Sequence, residues 1–145
     1  MRLRRLEHVG IVVKDLEGGI AFFTALGMEV SGRARVGGES VDRIVGLEGI
    51  DAEIAMLKAP GDRGGVELVR FDSPGYEGDE ELLPSNVPGI RHLAFQVDGL
   101  RDMVSRLTDV GAELVGEIVQ YEDSYLLCYL RGPGGAIIEL AEPLN

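Results

Sequence analysis

Residues 8 to 32 align without a gap on residues 92 to 116, at a constant offset of 84, and this internal repeat constrains the fold more than any other feature. Seven positions are identical: His8 and His92, Val13 and Val97, Leu16 and Leu100, Thr24 and Thr108, Gly27 and Gly111, Glu29 and Glu113, Gly32 and Gly116. A second match pairs Leu57-Lys58-Ala59-Pro60-Gly61 with Leu130-Arg131-Gly132-Pro133-Gly134. After a one-residue adjustment it continues as Val66-Glu67-Leu68 against Ile138-Glu139-Leu140. Self-similarity on this scale means that one supersecondary unit has been used twice.

Each copy reads as a strand, a helix and three further strands. Leu6 to Val13 and Ile90 to Val97 are rich in β-branched and aromatic residues and open the two copies as strands. In the second copy Leu100, Met103, Val104, Leu107 and Val110 recur at helical spacing. Gly111 follows as a C-terminal cap, and Gly27 holds the same place in the first copy. Strands are then expected at Glu29 to Val36, Ile50 to Leu57 and Val66 to Phe71, and again at Glu113 to Val119, Tyr125 to Leu130 and Ala136 to Ala141. Pro-Gly pairs between the last two strands of each copy are turn chemistry and predict hairpins. The expected fold is α+β, two tandem βαβββ modules within 1–145: module one over 4–72, a linker over 73–88 and module two over 89–145. The linker holds three of the six prolines and the acidic run from Glu77 to Glu81.

Composition narrows the function. A net charge of −11 with scattered arginines disfavours nucleic acid and anionic lipid. No apolar run approaches the ~20 residues that span a bilayer. The first six residues carry signal-peptide charge, but Glu7 and His8 interrupt any apolar stretch, so the segment reads as mature protein. Cys128 is the only cysteine, which points to a reducing, cytoplasmic compartment.

The two histidines are the only ones in the chain and occupy the same position in their copies, and the repeat makes Glu67 and Glu139 equivalent as well. Residues two apart on a strand share a face, so His8 sits with Leu6, Gly10 and Val12, and His92 with Ile90, Ala94 and Gln96. Glu67 shares its face with Gly65 and Val69, and Glu139 with Ile137 and Ala141. Carboxylates among apolar or very small neighbours need a partner. A divalent ion held by His8, Glu67, His92 and Glu139 would supply it, its charge balanced by the two carboxylates. Mixed nitrogen and oxygen donors suit Zn, Ni, Co, Mn or Fe(II), and four protein ligands on an octahedral ion leave two positions for water or substrate. The competing reading makes the histidines hydrogen-bonded core residues and the glutamates solvated strand ends. Gln96 is read as a polar strand-end residue, with a substrate contact as the alternative.

The paired modules, His8-Val9-Gly10-Ile11-Val12-Val13, Arg91-His92-Leu93-Ala94-Phe95 and Gly132-Pro133-Gly134-Gly135-Ala136-Ile137-Ile138-Glu139-Leu140, resemble the vicinal oxygen chelate superfamily over nearly the whole chain. That group includes glyoxalase I, methylmalonyl-CoA epimerase, extradiol dioxygenases and bleomycin-resistance proteins. The resemblance implies modules curled into a mixed sheet around a metal, a homodimer, and a small-molecule carbonyl substrate. Gly132 stands where relatives often carry aspartate, and Val36 to Ile50 does not match glyoxalase I closely enough to carry over a glutathione site.

The reaction implied is that of a glyoxalase I-like or epimerase-like lyase or isomerase. A proton moves next to a carbonyl through a metal-held enolate, with Glu67 and Glu139 as both ligands and candidate bases and Glu139 favoured. Glu67 and Arg91 depart from the glutamine and the His-His pair common in the epimerases. Two alternatives stand beside it. An Fe(II) extradiol-type dioxygenase would use His8, His92 and Glu139 but lacks a third histidine, for which Tyr125 or Tyr129 would have to substitute. A non-catalytic, antibiotic-type binding protein would use the same cavity without chemistry. Arg35, Arg70 and Arg131 are candidate anchors for a substrate carboxylate, with surface solvation as the plainer role.

Overall fold

A computed structural model describes residues 1–145 and divides them into two compact units, Met1–Gly78 and Asp79–Asn145. In the first unit β1 (Val9–Val12) leads into α1 (Leu16–Leu26), followed by β2 (Glu29–Gly37), α2 (Glu39–Val45), β3 (Asp51–Lys58) and β4 (Gly65–Ser73). The strands form one sheet in the order β1-β4-β3-β2. β1 lies parallel to β4, and the remaining pairs are antiparallel. α1 carries the chain from β1 to β2 at the far edge of the sheet, from which β3 and β4 lead back to pair with β1. Asp15 starts it by accepting a hydrogen bond from the Gly18 N–H at 2.9 Å, and Gly27 ends it at φ 114°, a left-handed conformation suited to glycine. Leu16, Phe22, Phe23 and Leu26 recur on one face of α1 and are buried against Ile11, Val13, Ala55, Leu57, Val66 and Leu68 of the sheet. Each such side chain contributes about 1.5–3 kcal/mol by leaving water.

The second unit repeats the plan with β5 (His92–Gln96), α3 (Leu100–Thr108), β6 (Glu113–Leu114), β7 (Val119–Tyr121), β8 (Tyr125–Arg131) and β9 (Ile137–Pro143). Its sheet runs β5-β9-β8-β6, with β7 also pairing β8, and β5 is parallel to β9. Leu100, Val104 and Leu107 of α3 are buried, as are Ile138 and Leu140 of β9.

The repeat extends to individual hydrogen bonds and explains several of the identities. Thr24 Oγ1 donates to the Ile20 carbonyl at 2.8 Å and Thr108 Oγ1 to the Val104 carbonyl at 2.7 Å. Past the helices, the Gly27 N–H reaches Thr24 and the Met28 N–H reaches Phe23. Gly111 and Ala112 make the same bonds to Thr108 and Leu107. Both Pro-Gly turns are single 3-10 turns joining antiparallel strands, Pro60–Asp62 and Pro133–Gly135. The two units are thus an α+β fold with two mixed sheets and three helices, matching the expected fold class.

Three details differ from the sequence expectation. α2 was unforeseen because it has no buried stripe: none of its seven residues is buried and Ile44 is 83% exposed, so no periodicity marks it. The strand expected over Glu113 to Val119 is broken into β6 and β7 around Gly116. At the equivalent Gly32, β2 carries a register shift between Val30 and Gly32. A glycine at a bulge or break is a common device for bending a strand. Finally β1 begins at Val9, so His8 lies one residue before the ladder, whereas His92 is the first residue of β5.

The stretch between the modules is shared between the units. Lys14 Nζ donates to the Gly78 carbonyl, while Arg131 Nη1 donates to the Leu83 and Gly135 carbonyls at 3.0 and 3.1 Å. No helix is long and apolar enough to cross a membrane.

Candidate metal-ligand residues

The parallel pairs position the four candidate residues in matching registers. In the first unit Gly10 lies opposite Glu67, and Glu67 lies opposite Met56 on its other side. In the second, Ala94 lies opposite Glu139, and Glu139 lies opposite Tyr129. His8 and His92 each precede the small residue by two and so share the face of their glutamate. Gly10, which has no side chain, and Ala94, which has only a methyl group, leave the carboxylates room.

In the first unit His8 Nε2 stands 3.7 Å from Glu67 Oε2, with the two side chains 33% and 26% exposed. That separation exceeds a hydrogen bond. It approaches the roughly 3–3.5 Å expected between two donors that each lie about 2.0–2.2 Å from one ion. His8 Nδ1 is buried with no hydrogen-bond partner. An imidazole nitrogen and a carboxylate oxygen are also the donor types that first-row divalent ions take. The pair therefore fits a metal.

In the second unit the histidine is engaged differently. His92 Nδ1 lies 3.5 Å from the Tyr129 hydroxyl, and the two rings are 5.1 Å apart, tilted by 37°. The Glu139 carboxylate is half-buried and takes part in no hydrogen bond or ion pair. Its charge reaches the neighbouring strand, where the Cys128 thiol is pushed up, chiefly by burial and to a smaller extent by Glu139. Neither unit gathers three or more His, Cys, Asp or Glu side chains able to hold a metal.

The ligand face is more open than its apolar neighbours suggested. Val12 is 58% exposed, and His92, Ala94 and Gln96 are all exposed. In each unit one helix covers the opposite face of the sheet. The glutamates are accordingly half-buried, and no polar or charged residue of the chain is fully buried. In the first unit Ile54, Met56, Val69 and Phe71 lie half-buried around Glu67. Gln96 closes β5 as an exposed strand-end residue.

The candidate arginine anchors are all occupied. Arg35 pairs with Asp51 at 3.0 Å and with Asp72, while Arg70 pairs with Asp72 at 3.0 Å and Glu53 at 3.3 Å. The bond from Arg70, then that from Arg35, holds the Asp72 carboxyl below the usual range, and Arg33 does the same to Glu53. Arg131 is spent on the two carbonyls it fastens. Tyr129 was named in the sequence only as a substitute for a missing histidine. The hairpin register that sets it opposite Glu139 was the signal that could have singled it out.

Comparison with known proteins agrees with this architecture. Residues 5–140 match the model of the Glyoxalase/Bleomycin resistance protein/Dioxygenase superfamily. A crystal structure of a glyoxalase family protein from Bacillus cereus is 46% identical, with a TM-score of 0.95, over 100% of this chain and 97% of that one. A glyoxylase/bleomycin resistance protein/dioxygenase domain from Frankia sp. EAN1pec, 20% identical over 98% of this chain and 99% of its own, shares the fold with a TM-score of 0.66. The uncharacterized protein YwbC of Bacillus subtilis (strain 168) is 27% identical over 139 residues, 94% of this chain and 95% of that protein. The chain belongs to the glyoxalase/bleomycin resistance protein/dioxygenase superfamily, the vicinal oxygen chelate group.

Proposed function

We propose that the protein is a divalent-metal-dependent enzyme that moves a proton next to a carbonyl, with His8, Glu67, His92 and Glu139 as ligands to Zn, Ni, Co, Mn or Fe(II). The observation that carries the reading is the matched placement: Glu67 opposite Gly10 and Glu139 opposite Ala94 on equivalent strand pairs, with a histidine two residues before each of these small residues. Similarity to a glyoxalase family protein supports the same class. A divalent ion bound by these groups supplies Lewis acidity, which lowers the cost of negative charge on a carbonyl oxygen.

The chain's own residues divide the remaining work. Glu67 is held near His8 and serves as a fixed donor. The Glu139 carboxylate, with no competing hydrogen bond, is the better candidate to accept a proton from the carbon beside the carbonyl and return it. The apolar row of Ile54, Met56, Val69 and Phe71 offers a surface for an uncharged part of the substrate. The expected substrate is a small carbonyl compound, and the expected assembly is a cytoplasmic homodimer.

A second reading, binding without chemistry, draws on the same apolar row and on the absence of a three-donor group within either unit. Proton exchange separates the two. Protein loaded with Zn, Ni, Mn or Fe(II) is incubated in deuterium oxide with the methylglyoxal–glutathione hemithioacetal or with methylmalonyl-CoA. The enzyme reading expects deuterium at the α-carbon, abolished by chelator and by Glu139→Gln. Tight binding of either compound with no exchange under any metal would favour the binding protein.

A further inference from the structure

We infer that Tyr129 is a positioning residue that sets the tautomer of His92, holding its proton on Nδ1 and leaving the Nε2 lone pair free for a metal. The inference rests on the metal reading for its purpose, although the contact itself does not depend on it. Tyr129 projects from β8 on the face that carries Glu139 and reaches across β9 to the imidazole on β5. The two side chains meet in one contact: the hydroxyl oxygen is 3.5 Å from Nδ1, the outer reach of a hydrogen bond whose direction the ring's tautomer decides, and the rings are 5.1 Å apart.

A neutral imidazole has one N–H and one lone pair, and the partner of one nitrogen decides which of them the other presents. With Nδ1–H donating to the Tyr129 oxygen, Nε2 becomes the acceptor. That is the arrangement metal-bound histidines show, where the second ring nitrogen donates to an outer group and its loss costs about 10–100-fold in metal affinity. The first unit lacks this device. Met56 occupies the place equivalent to Tyr129, opposite Glu67, and cannot accept the proton in this way. There His8 Nδ1 is buried without a partner and Nε2 faces the carboxylate directly.

The test reads the tautomer without metal. The chain has only two histidines, so a long-range proton–nitrogen NMR spectrum of metal-free, ¹⁵N-labelled protein above the imidazole titration range shows both rings, with His8 as internal control. In the wild type His92 should carry its proton on Nδ1. In Tyr129→Phe, which keeps the ring and removes the oxygen, it should move toward Nε2–H while His8 stays unchanged. Zinc affinity, measured by competition with a chromophoric chelator, should fall about 10–100-fold in the variant. An unchanged His92 spectrum in Tyr129→Phe, or Nε2–H in the wild type, would overturn the inference even if zinc binds. A tautomer shift in a protein that binds no zinc would sustain the positioning role and remove the metal reading instead.

Discussion

The two halves of the chain share a register and differ in what they do with it. In the first unit the imidazole of His8 turns to the Glu67 carboxylate at 3.7 Å. In the second the imidazole of His92 turns to Tyr129 and leaves Glu139 without a partner. The residue across the hairpin from the glutamate also differs, Met56 in the first unit and Tyr129 in the second. Duplication thus supplies equivalent positions for the two histidines and two glutamates, while their side-chain contacts differ between the halves. The helices diverge similarly. α1 is capped by its own Asp15, whereas the equivalent Gly99 has no side chain, and Glu142 of β9 accepts from the Leu100 N–H at 2.6 Å instead. Ion pairs are concentrated in the first unit, where Glu17, Glu53, Asp51 and Asp72 surround Arg33, Arg35 and Arg70.

The two glutamates should respond differently to neutralisation. Glu139→Gln should lower the α-proton exchange rate by roughly 10²–10⁴-fold, the usual worth of a positioned acid–base group. Glu67→Gln should act mainly through weaker metal binding, so that excess metal restores part of its rate. Equal, metal-insensitive losses would return the two carboxylates to equivalence. The core should behave symmetrically. Leu68 and Leu140 occupy matching positions next to the glutamates and are both fully buried, so Leu68→Ala and Leu140→Ala should each cost about 2–5 kcal/mol in urea unfolding. A large loss at one and none at the other would show that the duplicated cores are not equivalent supports.

Smaller effects refine the comparison of caps and charges. Asp15→Ala should cost about 1 kcal/mol of stability, and Glu142→Ala, which removes the acceptor of the Leu100 N–H, should weaken α3 by a similar amount despite lying 42 residues away in sequence. Amide exchange in α3 would report the latter directly. Acid should act first on the charged cluster. Asp72 and Glu53 are held below the usual carboxylate range by their arginines, so their stabilisation is present above that range and is lost as pH falls through the lowered values. Amide protection near residues 51–53 and 70–72, corrected for the intrinsic pH dependence of exchange, should therefore fall at acid pH, with a modest effect because the pairs are partly exposed.

The sequence carried the repeat, the strand and helix order, both glycine caps and both Pro-Gly hairpins, because each depends on short-range chemistry within one copy. It missed α2, which buries nothing and so writes no apolar period, and it merged β6 with β7 across Gly116. At the ligand positions, strand alternation and the repeat placed each histidine on the face of its glutamate. Alternation cannot tell how far a face is covered, and Val12 and Ala94 proved open where burial was expected. Nor does alternation extend to side-chain contacts that reach across a strand, such as that between Tyr129 and His92.

The proposed metal reading makes His8, Glu67, His92 and Glu139 ligands to a divalent ion. Elemental analysis of protein purified without chelator, compared with a variant carrying His8→Ala and His92→Ala, tests it most directly. About one Zn, Ni, Co, Mn or Fe per chain is expected in the wild type, by the four-ligand stoichiometry of such sites, and its loss in the variant. A wild type that remains metal-free after each ion is added back, or a variant that keeps its metal, would contradict it.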